Sequence, residues 1–108
     1  MGDPDRMSLE SPVARVLVVG PSMVPALRHG DQVIVVRGLS VRPGDVVVAR
    51  FDSRPDLLVV KRAVRPCGHG TWWVEGDSSV VADDSRRYGP AVVTGRVVWR
   101  YWPPLRRR

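Results

Sequence analysis

Apolar residues in this chain come in short valine-rich runs, none longer than five residues. VLVV (16–19), VIVV (33–36), VVVA (46–49) and LLVV (57–60) set the pattern. β-branched side chains suit a pleated surface and are stiff at χ1, which favours strands over helices. Runs of this length fall far short of the roughly 20 apolar residues that cross a bilayer. Ten glycines and ten prolines supply the dihedrals of tight turns between the runs. The expected fold class is therefore mainly β, built of short strands. A chain of 108 residues has room for one such domain.

Six strands are expected, at 13–19, 32–37, 45–51, 57–64, 71–75 and 92–102. Pro43-Gly44 has the residues of a type II turn centre, and Gly95 marks a bulge in the last strand. Pro25 suits the first turn of a short helix after Ser22, where its missing N–H needs no partner. Residues 76–90 read as a polar, acid-rich loop, of a length that in compact domains is functional or disordered.

The formal charge is +6, from 17 Lys+Arg against 11 Asp+Glu. A basic excess suits nucleic acid, an anionic membrane surface or an acidic peptide. Part of it lies in Arg106, Arg107 and Arg108, where a solvated tail is the simpler explanation. Trp72, Trp73, Trp99 and Trp102, with Arg96 and Arg100 nearby, imitate a stacking platform for bases, but no nucleic-acid motif accompanies them. Core or groove lining is the reading adopted, and no nucleic-acid partner is expected. The single cysteine, Cys67, excludes an internal disulfide. Cys67 and His69, with His29 elsewhere, fall short of a closed metal site, so no metal or other cofactor is expected.

Two residues break the local pattern. Lys61 lies inside LLVVKRAV (57–64). Strand side chains alternate, so Lys61 shares a face with Leu57, Val59 and Ala63, and Arg62 shares the other with Leu58, Val60 and Val64. A lysine drawn out of water has its pKa lowered and can accept a proton near neutrality. The competing reading is an edge-strand lysine that reaches solvent and blocks aggregation. Ser22 follows a Gly20-Pro21 break. There a serine can present its hydroxyl and its own N–H to one point, as an acyl-transfer nucleophile needs. An ordinary N-cap serine fits the same context.

Taken together, GPSMVPALRHGD (20–31), VRPGDVVVAR (41–50), VVKRAV (59–64) and GDSSVVADDSRRYG (76–89) resemble the ordered boxes of the type I signal peptidase family. Its nucleophile box is matched by Ser22-Met23-Val24-Pro25-Ala26-Leu27, its lysine box by Lys61-Arg62, and its last box by Gly76-Asp77 and Asp84-Ser85-Arg86. The resemblance implies the compact β core shared by signal peptidases and LexA-type repressors. It also implies a serine–lysine endopeptidase, with Ser22 as nucleophile and Lys61 as general base. Gly20, Met23 and the Ser22 N–H would belong to the oxyanion side. Asp84 with Arg86, and Asp77 with Arg62, would be ion pairs that shape the site.

Two positions depart from the family pattern: Ser78 stands for the usual asparagine, and Ala82 for a serine that orients the lysine amine. Gly20 takes a place where a hydroxyl residue often assists the oxyanion. The domain reading is a flexible segment 1–12 that is neither signal peptide nor anchor, a catalytic domain 13–103 and a basic tail 104–108. It implies a soluble, cytoplasmic protein with no transmembrane segment. Arg42–Val47, Leu58–Val64, Trp72–Asp77 and Arg100–Pro103 look like the subfamily that matures nickel-type superoxide dismutase. This implies a superoxide dismutase precursor as substrate, cut to expose a nickel-binding N-terminus. Two alternatives stand beside it: a non-catalytic binding module of the same family, and a LexA-type self-cleaving domain. Cys67-Gly68 is a bond of the kind that repressors cut, but it follows both Ser22 and Lys61.

Overall fold

The structure is a computed structural model, and it describes residues 12–20, 22–23, 26–78 and 83–102, with side chains described up to residue 98. Among these residues six strands and one short helix follow one another: β1 (Val13–Leu17), β2 (Gln32–Val36), β3 (Val46–Phe51), β4 (Arg54–Gly68), β5 (Thr71–Glu75), α1 (Ser85–Tyr88) and β6 (Ala91–Trp102). All pairings are antiparallel, in the order β1-β2-β6-β3-β4-β5. The start of β6 also pairs with β5, through Thr71–Val92 and Trp72–Ala91, so β6, β3, β4 and β5 form a closed ring. Mainly β with short strands is the architecture expected.

The valine runs explain where the core lies. β3 is buried on both faces, which is why it reads as a continuous apolar VVVA instead of an alternation. Val48 joins Val18, Met23, Leu27, Val33 and Val35 on one side. Val47, Ala49 and Phe51 join Ala63, Val74 and Ala91 on the other. β2 has one buried row only, Val33 and Val35.

Gly95 lies at a bulge: Val48 faces Gly95 and Ala49 faces Val93, so Thr94 is the extra residue. A side chain at Gly95 would collide with Val35 Cγ1, which explains glycine at this crossing of β2 and β6. The Arg42–Asp45 turn closes with Asp45 N–H donating to Arg42 O, and Gly44 at φ +97 supplies the positive angle of a type II turn.

Two expectations need correction. Among the described residues the short helix is Ser85–Tyr88, and Pro25, expected in a first turn after Ser22, lies outside them. Ser22, Met23, Ala26 and Leu27 are turn and bend residues, and Leu27 N–H donating to Met23 O is one helical-type bond. Asp84 caps α1, accepting from Arg86 N–H, and Gly89 ends it at φ +80. β4 is also longer than 57–64. It starts at Arg54, directly after a two-residue turn from Phe51, and runs on to Gly68 because β5 pairs with its second half.

Candidate active site

The turn carrying Ser22 is anchored by its neighbour. Met23 is buried in the core with Leu27, so the chain is pinned one residue beyond Ser22. On its other side Ser22 meets the end of β5. Ser78 N–H donates to Ser22 O at 2.9 Å. A Cβ on Gly76 would lie 2.6 Å from Ser22 O. Only a residue without a side chain admits this approach. Ser22 itself is half-buried.

Lys61 comes from β4, opposite Val47 of β3 and on the row that holds Val59 and Ala63. It is 4 % exposed, a rare state for lysine, so the edge-lysine alternative fails on burial. Desolvation pushes its pKa below the ordinary value. The carboxylates of Asp84 and Asp83 counteract part of that shift, and Arg86 adds to it. The outcome is an amine with a weakened hold on its proton.

Ser22 and Lys61 line one groove of about 280 Å³. Its walls are Val16–Gly20, the end of β1 and the residues that follow it, and Leu57–Lys61 of β4. Phe51 and Tyr88 also line it, their rings 5.0 Å apart. The groove is apolar apart from Ser22, Lys61, Asp83, Tyr88 and the backbone. Leu17, Val19, Leu57 and Leu58 leave apolar surface open along it. Among the described residues, β4 pairs with β3 along Leu58–Arg62, while its bonds to β5 begin only at Arg62. Among the described residues the Leu57–Lys61 stretch therefore has an unpaired edge where it lines the groove.

The acid-rich segment braces this groove. Asp84 is fully buried and accepts from Gly76 N–H at 2.8 Å and from Arg86 Nη2 at 2.6 Å, Nε at 3.0 Å and backbone N–H at 3.1 Å. Burial alone would raise its carboxyl. The hydrogen bonds from Arg86 and from the Gly76 and Arg86 backbone outweigh that and hold it below its ordinary value. Arg86 is raised by the same pairing. Ser85 is buried and its Oγ accepts from Val74 N–H at 2.8 Å.

Arg62 points away from the groove. It donates to both Asp77 oxygens, at 2.9 and 2.6 Å, and to Gly44 O at 2.8 Å. The hydrogen bond to Asp77 raises its pKa. The pair thus ties the β3 entry turn to the segment that touches Ser22.

Ser22, Lys61 and Gly20 meet at the groove; Met23, Gly76, Asp77, Asp84, Ser85, Arg86 and Arg62 support it from behind. Ala82 lies outside the described residues. Phe51, Tyr88 and Asp83 are groove residues that the sequence pattern does not single out. Phe51 reads there as an ordinary strand residue, and Asp83 and Tyr88 fall in the segment that reads as loop. Among the described residues no three His, Cys, Asp or Glu side chains are grouped to hold a metal ion. No helix among them is long and apolar enough to cross a membrane.

The Peptidase S24-like family profile matches residues 4–96. Mitochondrial inner membrane protease subunit 1 of Xenopus tropicalis is 32% identical over 117 residues, covering 82% of this chain and 68% of that protein. The human subunit 1 is 29% identical, over 82% of this chain and 69% of its own length. Mitochondrial ATP-independent inner membrane protease subunit 1a of Arabidopsis thaliana is 31% identical, over 81% and 69%.

Proposed function

The chain belongs to the Peptidase S24-like family, and from that premise we propose that it is a serine–lysine endopeptidase with Ser22 as nucleophile and Lys61 as general base. The observation that carries the reading is the burial of Lys61 in the groove that also holds Ser22. A desolvated amine is neutral at a lower pH than a free lysine and has a lone pair to offer.

Ser22 Oγ attacks the scissile carbonyl while its proton passes to Lys61 Nζ. The tetrahedral oxyanion takes a hydrogen bond from the Ser22 backbone N–H; Gly20 has no side chain to add to it. Collapse breaks the C–N bond, and Lys61 returns the proton to the leaving amine. Lys61 then takes a proton from water as its oxygen attacks the acyl–Ser22 ester, and returns that proton to Ser22 Oγ as the acyl C–Oγ bond breaks and the acid product leaves. The substrate lies extended in the groove, where the Leu57–Lys61 edge supplies backbone hydrogen bonds.

The finer part of the proposal is the substrate: a cytoplasmic precursor of nickel-type superoxide dismutase, shortened at its N-terminus. Its support is the run of sequence likenesses at Arg42–Val47, Leu58–Val64, Trp72–Asp77 and Arg100–Pro103. The nickel would belong to the product. Intact-mass analysis of that precursor, incubated with wild type, Ser22→Ala and Lys61→Ala, tests both levels. Loss of the extension with wild type alone supports them together. Cleavage by a folded Ser22→Ala or Lys61→Ala protein removes the dyad. An uncut precursor beside a cut test peptide removes the substrate only.

A second reading, a non-catalytic binding module, is favoured by Ala82 where the family carries an orienting serine. It predicts saturable precursor binding with no mass change under any condition.

A further inference from the structure

The segment leading into Ser22 is held by a side chain that the peptidase reading leaves unused. Beyond β1 the backbone runs alongside the turn at 28–31. Val18 N–H donates to Asp31 O at 2.8 Å, and Gly30 N–H donates to Val18 O at 2.9 Å. The next rung is made by an imidazole: Gly20 N–H donates to His29 Nδ1 at 3.0 Å. Gly20 lines the groove and sits at φ +87. Glycine is free on both sides of φ = 0, so sterics alone do not hold it there. Pro21, which follows, has no N–H with which to add a rung.

We infer that His29 is a positioning residue for the nucleophile: its unprotonated Nδ1 closes the 20–29 loop and fixes the approach of Gly20 to Ser22. The inference rests on Ser22 being the nucleophile. The ring must be neutral and protonated on Nε2, because only then does Nδ1 accept a hydrogen bond. This acceptor is the latch on the turn. The charged residues of the same turn are Arg28 and Asp31, and Asp31 Oδ2 is engaged by Arg28 N–H at 2.9 Å. Val18, Val19 and Gly20, on the facing segment, carry no charge. The bond is exposed, so its effect is graded and not all-or-none.

The test compares wild type, His29→Ala and His29→Asn in the full chain, with Ser22→Ala as the inactive baseline. Asparagine Oδ1 can accept near the position of Nδ1 and does not titrate. His29→Ala should lower kcat about three- to tenfold, the scale of one exposed hydrogen bond, with KM little changed. It should raise amide exchange at Gly20 by a similar factor. His29→Asn should restore both values. Unchanged Gly20 exchange in His29→Ala overturns the latch. So does full activity in His29→Ala, or a folded His29→Asn protein that behaves like the alanine variant. If wild type cleaves nothing, the nucleophile assignment falls instead, and Gly20 exchange still decides whether His29 holds the loop.

Discussion

A side chain on Gly76 would place its Cβ 2.6 Å from the carbonyl oxygen of Ser22 and 3.1 Å from Ser22 Cβ. The glycine of the last sequence box is therefore a spacer for the serine of the first, far earlier in the chain. Asp84 fixes the spacer in turn by accepting its N–H at 2.8 Å. Ser22 thus rests on a strand end that is itself held by a buried carboxylate.

Gly76→Ala should displace the Ser22 backbone, because the contact is with main chain and not with a flexible side-chain tip. We expect a loss of stability of about 1–3 kcal/mol, the usual range for overpacking, and a drop in kcat larger than that cost explains. Urea unfolding and cleavage kinetics on the same preparation check it. A variant with wild-type kcat contradicts the spacer role.

Lys61 should leave its mark on both rate and stability. Its folded pKa lies below 10.5 through desolvation, so the unfolded chain binds more protons between the folded value and 10.5. Stability therefore rises with pH across that window, and its burden is greatest below the folded value. kcat/KM should rise through the folded value as the amine deprotonates. Lys61→Met, which keeps the length and removes the charge, should lose cleavage and flatten the pH dependence of unfolding. Chemical denaturation from about pH 6 to about pH 10, the range a desolvated lysine can titrate in, measures the slope; an equal slope in Lys61→Met rejects the assignment.

Asp84 works in the opposite direction. Its carboxyl is held below 3.8 in the fold, so its contribution is fully present above that value. The contribution is lost as pH falls through the lower, folded value. Asp84→Asn keeps the shape but weakens bonds to Gly76 and Arg86. About 1–3 kcal/mol should go at neutral pH, with activity falling further because Gly76 is released. Arg86 can hydrate, which limits the cost. Ser85→Ala, which orphans Val74 N–H in a buried position, should cost a similar amount with less effect on kcat. Thermal melts beside initial rates separate the two variants.

Asp77→Asn tests the second ion pair. The Arg62–Asp77 contact is partly exposed, so its removal should cost no more than about 1 kcal/mol. Its position next to Ser78, which bonds Ser22 O, predicts that KM or kcat moves more than the melting temperature. A double-mutant cycle with Arg62→Met should show coupling in rate as well as stability.

Much of this protein is legible in the order of its residues. Valine runs ended by Gly and Pro locate six strands, because pleat and turn preferences act over a few residues. Strand alternation puts Lys61 on a row with Val59 and Ala63, whereas α1, only four residues long, is too short to show a helical period and its polar surroundings read as loop. Tertiary structure decided what depends on distant segments meeting. β5 pairing carries β4 on to Gly68, and the packing of the sheet leaves Lys61 buried at the groove while Arg62 keeps some water. The contact of Gly76 with Ser22, the groove lining by Phe51 and Tyr88, and the His29 bond to Gly20 all join residues whose local sequence carries no sign of the partner. Local propensity is written in neighbours along the chain; desolvation and close approach arise only when the sheet closes.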